Sequence, residues 1–229
     1  MSADLFDVLE ATWPAAASRR IGPFRLRDGA GGGKRVSATL LEGDFTDAAF
    51  DAVAGQPLFQ IRPGQDALDA ALAARGYAVV DPTVLYTAPV EALAEAPRPV
   101  ALPTIWPPLA IQRQIWAEGH VGPERLAVMD RACAPKTSFI ARFKDRAAGV
   151  GFVAIHQGIA MLHALHVDPA FRRQGIARYM VRGMAHWAQA QGASSFALAV
   201  TQGNSGARAL YEALGMTEAG AYHYREHRP

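Results

Sequence analysis

Val167-Asp168-Pro169-Ala170-Phe171-Arg172-Arg173-Gln174-Gly175-Ile176-Ala177 is the stretch whose reading decides the fold. An apolar alternating segment, Ala160 to Val167, stops at Asp168-Pro169, and a basic, glycine-containing turn leads into a long helical pattern. Strand, turn and helix with Arg, Gln and Gly at the junction make a place to hold a phosphate. The N–H groups that open a helix are unpaired and point at a ligand, and the helix dipole favours negative charge there. Arg172 and Arg173 add mobile positive charge. Gly175 has no side chain to block close approach of the backbone.

Downstream, Ile176, Met180, Met184 and Trp187 form one helical stripe that ends at Gly192. Phe196 to Val200 is a continuous apolar run, as expected of a strand covered on both faces. Asn204-Ser205 supplies an N-cap for a last helix that buries Ala207, Leu210 and Leu214 and stops at Gly215. The tail from Ala221 to Arg225 reads as a strand. Upstream, helical patterns run from Leu109 to Glu118 and from Glu124 to about Cys133, the second opened by Gly122-Pro123. Ser138–Phe143 and Val150–Ile155 alternate as a hairpin. Gly149-Val-Gly151-Phe-Val-Ala154 matches a dinucleotide fingerprint by letter, but it lies inside a strand pattern where the fingerprint needs a helix start.

The first hundred residues carry weaker signals. A short helix with Leu5, Val8, Leu9, Thr12 and Trp13 is halted by Pro14, and Phe24–Arg27 alternates like a strand. Asp28-Gly-Ala-Gly-Gly-Gly33-Lys34-Arg35 invites a nucleotide-loop reading, yet Asp28 and Arg35 stand where that loop needs Gly and Ser or Thr. It is expected to be a hairpin turn before a strand from Arg35 to Leu41. Further strands are expected at Leu58–Ile61, Tyr77–Val80 and Thr83–Thr87, the last two around an Asp81-Pro82 turn. A helix is expected from Asp66 to Arg75, stopped by Gly76. Residues 95–108 contain five prolines, a stiff linker by composition. The expected domains are therefore 1–96, a linker at 97–108, and 109–229.

Half of the 229 residues are apolar and the formal net charge is +2, which gives no bulk charge for nucleic-acid binding. The one cysteine, Cys133, excludes an internal disulfide and suits a reducing compartment. No apolar run approaches the ~18 residues needed to span a bilayer, and no signal-peptide layout opens the chain. A cytoplasmic protein without membrane or nucleic-acid partners is expected. His156, His163, His166, His223 and His227 have no accompanying Cys or carboxylate at ligand spacing, so no metal is expected.

Two motifs together resemble the GNAT superfamily of acyl-CoA-dependent N-acetyltransferases. Arg172-Arg173-Gln174-Gly175-Ile176-Ala177 satisfies that superfamily's Arg/Gln-x-x-Gly-x-Gly/Ala signature. Asn204, Ala207, Leu210-Tyr211 and Leu214-Gly215 match its second, and the resemblance covers roughly Trp106 to the C-terminus. It implies an α/β (α+β) GNAT fold, a mixed, mostly antiparallel central sheet flanked by helices. Leu68–Tyr77 is similar to the helix-plus-strand segment Ala207–Met216, so the N-terminal half looks like a smaller, degenerate GNAT-like unit, as in tandem members, without the 172–177 signature. It would close a shared sheet and help shape the acceptor side.

The activity so implied is transfer of an acetyl group from acetyl-CoA, as co-substrate, to an unidentified primary amine on a small molecule or protein. The resemblance places the pyrophosphate on the turn at Arg172, Arg173, Gln174, Gly175, Ile176, Ala177 and Arg178, with Asn204 also on the cofactor. The pantetheine would lie along Leu165, His166 and Val167 like an added strand, and a backbone N–H of that segment would polarise the thioester carbonyl. Tyr211 is the candidate general acid for the leaving thiolate. An alkylammonium, with a pKa of about 10.4 for lysine, must lose a proton before it attacks. The strand glutamate many members use for this is absent, and His163 is placed like the histidine base of the arylalkylamine branch. Alternation puts His163 on the face of Met161 and Leu165, with His166 opposite. Family members contact the acceptor from the first two helices, here Trp116, Glu118, His120 and Arg125. The alternatives are a non-catalytic acyl-CoA sensor or transfer of another acyl or aminoacyl group, and the protein is expected to be a monomer or homodimer.

Overall fold

The computed structural model describes residues 4–98 and 101–227; Pro99, within the expected linker, lies outside them. In chain order the elements are α1 (Leu5–Thr12), β1 (Ala17–Ile21), β2 (Phe24–Asp28), α2 (Lys34–Ser37), β3 (Leu40–Leu41), α3 (Asp47–Asp51), β4 (Leu58–Ile61), α4 (Asp66–Ala74), β5 (Ala78–Pro89), α5 (Val90–Leu93) and β6 (Thr104–Ile105). There follow α6 (Ala110–Glu118), α7 (Pro123–Arg131), β7 (Lys136–Phe143), β8 (Arg146–His156), β9 (Ile159–Val167), a 3-10 turn (Pro169–Phe171), α8 (Ile176–Ala190), β10 (Ser195–Thr201), α9 (Ser205–Glu212) and β11 (Thr217–Glu226).

One eight-stranded sheet runs β4-β11-β5-β10-β9-β8-β7-β6, and β1-β2-β3 form a small second sheet. All neighbours in the large sheet are antiparallel except β9 and β10. This is the mixed, mostly antiparallel sheet expected from the sequence. One face buries α5, α8 and α9 against Val153, Leu162, Phe196 and Leu198. The other face buries α6 and α7 around Trp116, Met129 and Phe152, and α1 through Val8 and Leu9 against Leu85, Met161 and Ala197. The small sheet, α3 and α4 enclose a separate core around Phe24, Phe50, Phe59 and Leu72.

The register of β5 locks the two ends of the chain together. Its Leu85 sits between Ala199 of β10 and Gly220 of β11, with no exposed surface. The two strands expected around Asp81-Pro82 are this single strand. Asp81 takes a positive φ of 47° without ending it, because pairing with β11 resumes on both sides. The strand expected from Arg35 to Leu41 is also corrected. Gly33, at φ 96°, opens the helical turn α2, and only Leu40–Leu41 pair with β2. Alternation alone missed this, because the buried residue Val36 fits a turn as well as a strand.

The proline-rich segment is a packed strap on the large sheet. Leu102 is buried and approaches Gly183 of α8, and Thr104–Ile105 pair with β7. The letters Gly149-x-Gly151 lie in β8 as strand glycines. A Cβ on Gly149 would stand 3.0 Å from Met180 Sδ, and one on Gly151 would stand 2.4 Å from Met184 Cε, so their absence lets α8 lie close. Truncating Leu85 to Ala is expected to lower unfolding stability by about 2–5 kcal/mol. Urea titrations followed by tryptophan fluorescence and far-UV circular dichroism should shift together, since both ends of the chain meet at that residue.

Candidate functional site

The pairing of β9 with β10 ends at Leu162 with Leu198, while β9 continues to Val167 and β10 to Thr201. Past that point the strands are unpaired with each other, and both border a cavity of about 1070 Å³. The cause is a bulge in β9. His163 pairs with Phe152 and His166 with Val150, so two residues, Ala164 and Leu165, oppose the single Gly151. Ala164 has φ 49°, and its carbonyl accepts a 2.8 Å hydrogen bond from Trp116 Nε1.

The bulge corrects the expected alternation. Phe152 and Val150 share a sheet face, so their partners His163 and His166 share it too. Leu165 and Val167 instead pack with α8. His166 lies against the α6–α7 junction, where a Cβ on Gly119 would meet its ring at 2.5 Å.

At the far end of β9 the basic turn has the geometry of an anion cradle. Asp168 accepts from Ala170 N at 2.8 Å and tightens the 3-10 turn. Arg172 donates its Nε to Val167 O at 3.1 Å, Arg173 takes φ 61°, and Gly175 caps α8 at φ 77°. The first paired helical N–H is that of Tyr179, to Gly175 O. The backbone N–H groups from Arg173 to Arg178 have no partner among the described residues. A Cβ on Gly175 would meet nothing within 4 Å, so the glycine is required by its left-handed backbone. Ile176 buries its side chain in the core, while the amide of Gln174 lies 3.5 Å from Ala170 O, off the cavity wall.

Across the gap, α9 presents Ala207, Leu210 and Tyr211. Asn204 Oδ1 caps that helix through Ala207 N at 3.1 Å. Tyr211 is 7% exposed, its ring 6.0 Å from that of Tyr86, and its hydroxyl hydrogen-bonds to none of the described residues. Burial pushes its pKa up to about 12. Tyr179, by contrast, accepts from Arg98 N at 2.9 Å and serves the strap.

His163 is 3% exposed and stacked on Trp13 at 4.9 Å. Thr12 Oγ1 donates to Val8 O at 2.7 Å, so at 2.9 Å it must accept from His163 Nε2–H. The proton is therefore on Nε2, and Nδ1 keeps a lone pair with no partner. Burial, and then the charge of Arg35, hold this imidazole well below its usual pKa. Burial, followed by Arg172, also lowers His166.

The acceptor-side expectations are partly corrected. Trp116 is fully buried and its indole N–H is committed to Ala164, so it cannot stack on a ligand. Of Trp116, Glu118, His120 and Arg125, only Arg125 borders the cavity. The wall instead comes from Trp13, Gly33, Lys34 and Arg35 near the N-terminus, and from Tyr222 and Tyr224 on β11. No local signal in the sequence pointed to these, because they meet only through the shared sheet. Among the described residues no cluster of metal ligands occurs, and no helix is long and apolar enough to cross a membrane.

A parallel strand pair splayed beside a helix N-terminus borders the cavity. Residues 105–216 match the acetyltransferase (GNAT) family model. The chain is 29% identical to an uncharacterized N-acetyltransferase, YobR, of Bacillus subtilis (strain 168), over 94% of each sequence. Among solved structures, a GCN5-related N-acetyltransferase from Kribbella flavida superposes with a TM-score of 0.71 at 14% identity, covering 98% of this chain and 95% of that one. A functionally unknown conserved protein from Staphylococcus epidermidis ATCC 12228 gives 0.63 at 10% identity, covering 90% and 91%. At such identities these structures speak for the fold alone.

The buried histidine sets an acid limit on stability. Its folded pKa lies below the unfolded value of about 6.5, so below that pH the unfolded chain binds the extra proton. Stability is then complete above pH 6.5 and falls by up to about 1.4 kcal/mol per pH unit as pH drops toward the folded pKa. Urea unfolding between pH 6.5 and 5 should show this slope. His163→Gln should flatten it; an unchanged slope would place the titration elsewhere.

Proposed function

We propose that the protein transfers an acetyl group from acetyl-CoA to a primary amine by direct attack of the amine on the thioester. The observation that carries this reading is the run of unpartnered N–H groups from Arg173 to Arg178, opening on the same cavity as the hydroxyl-bearing Tyr211. In this reading the N–H run, with Arg172 and Arg173, holds the diphosphate. The pantetheine lies in the gap beside Leu165, His166 and Val167, where β9 lacks a strand neighbour, and Asn204 fixes the start of α9 at the cleft's other lip.

The chemistry then follows from the side chains. The amine nitrogen bonds to the carbonyl carbon while the carbon–sulfur bond breaks, and the sulfur leaves with the bonding electrons. Tyr211, kept protonated by burial, donates its O–H toward that sulfur. His163 is neutral at working pH and offers the Nδ1 lone pair for the proton the nitrogen sheds. Its depressed basicity suits it to take that proton after the carbon–nitrogen bond forms, when the nitrogen has become more acidic. A reading as a non-catalytic CoA sensor is disfavoured by a phenol left unpartnered at the cleft.

We further infer that residues 1–96 descend from the same kind of unit as residues 109–229. The supporting observation is a repeated helix ending: Tyr77 N bonds to Leu72 O and Met216 N to Tyr211 O, each at 3.1 Å, across Gly76 at φ 83° and Gly215 at φ 82°. Both glycines lead into strands that pair with each other, β5 and β11.

Tyr211→Phe should reduce CoA release from acetyl-CoA at saturating amine by roughly 100-fold, with CoA affinity by calorimetry unchanged. Turnover equal to wild type would remove Tyr211 from the reaction. Gly175→Val should weaken CoA binding at least 10-fold, since a β-branched residue resists the left-handed backbone that aims the N–H run. Binding unaffected by that change would locate the diphosphate elsewhere.

A further inference from the structure

Resting on the transferase reading, we infer that the acceptor amine also carries an oxyanion, as an amino acid or amino-acid conjugate does, and that Arg35 holds it. The glycine run before Arg35 is what delivers it. Gly31 and Gly33 take φ 81° and 96°, and Val36, with no exposed surface, anchors the turn beneath α7. Arg35 is half-buried in the cavity wall.

Its neighbours show why it stands out. Lys34 is paired with Asp81 at 3.0 Å and with Glu226 at 3.4 Å. Arg25 and Arg62 both engage Glu10. Arg35 enters no ion pair among the described residues. The groups that face it are the phenols of Tyr222 and Tyr224, neutral partners close enough to hydrogen-bond to its side chain but carrying no counter-charge. A desolvated guanidinium lacking a counter-ion is costly unless a ligand supplies one. Its planar fork suits a carboxylate or a phosphate bidentately. Arg125 adds a second positive charge on the same wall, so this side of the cavity disfavours polycationic acceptors.

The placement relative to the chemistry is also suitable. Arg35 is near enough to His163 for its charge to depress that imidazole. An acceptor anchored through its oxyanion at Arg35 would extend its amine into the cavity that His163 also lines. The anion would at the same time offset the charge that weakens His163 as a proton acceptor.

The test uses the full-length protein, acetyl-CoA and matched amine pairs: phenylalanine with phenethylamine, lysine with cadaverine, and phosphoethanolamine with ethanolamine. The expected result is a kcat/KM advantage of roughly 10- to 100-fold for the anionic member of at least one pair. The phosphate pair distinguishes the two anion sources. Arg35→Gln should erase the advantage while leaving the thermal shift with CoA unchanged, and Arg35→Lys should recover part of it. As a check that needs no variant, the amine-free acids 3-phenylpropionate or hexanoate should inhibit competitively against the preferred amine and not against acetyl-CoA. Transfer that favours the uncharged amines, or an advantage that survives in Arg35→Gln, overturns the inference and leaves the transferase reading standing. Failure of the protein to bind CoA overturns both.

Discussion

The hydrogen bond from the Trp116 indole to the carbonyl of Ala164 is the contact on which the site depends. A strand with an extra residue cannot stay in register with two neighbours at once. Here register is kept with β8 and given up with β10. The result is a gap in the middle of a sheet, an unusual place for a wide cavity, because backbone groups there must find other partners. Trp116 supplies one of them from outside the sheet, and being fully buried it fixes α6 against the bulge. The same bulge turns Leu165 and Val167 into the core under α8 and leaves His163 facing the end of α1 and His166 facing the α6–α7 junction.

Electrostatically the cavity has two positive ends with a neutral stretch between them. One end is made of backbone dipoles and mobile arginines at the start of α8. The other is the side chain of Arg35, held in place by a packed turn. Between them lie a phenol and two imidazoles whose charged forms are disfavoured by burial. Such an arrangement suits anions at its extremities and keeps the middle free of fixed charge, where the proposed reading has a neutral nucleophile meet a thioester. Cys133, the one thiol, stands apart: its Sγ donates to Ile155 O at 3.2 Å and burial raises its pKa.

The half of the fold built from local signals was legible in the sequence. The strand, turn and helix around Gly175, the stripe Ile176–Met180–Met184, and the capped helix at Asn204 each announce themselves through spacing and end residues. What the sequence concealed arises from pairing between distant segments. The continuity of β5 through Asp81-Pro82 comes from β11, more than a hundred residues later. The bulge at Ala164 has no glycine or proline to mark it, and it reversed the face assigned to His166. Trp116 and Glu118 were reasonable acceptor contacts by position, yet the bulge claims the first and the second lies off the wall. Arg35, Tyr222 and Tyr224 could not be grouped from letters alone, since only the sheet order brings them together.

That sheet order has a consequence for how the molecule comes into being. Residues 78–89 form an interior rib with the last strand, β11, on one side and the strand before it, β10, on the other. During synthesis this rib leaves the ribosome long before either flank exists, so it waits for its neighbours until β10 (Ser195–Thr201) and β11 (Thr217–Glu226) emerge. The cleft therefore assembles last, and a chain released short of β11 would expose a long unpaired edge of β5 instead of a partial cleft.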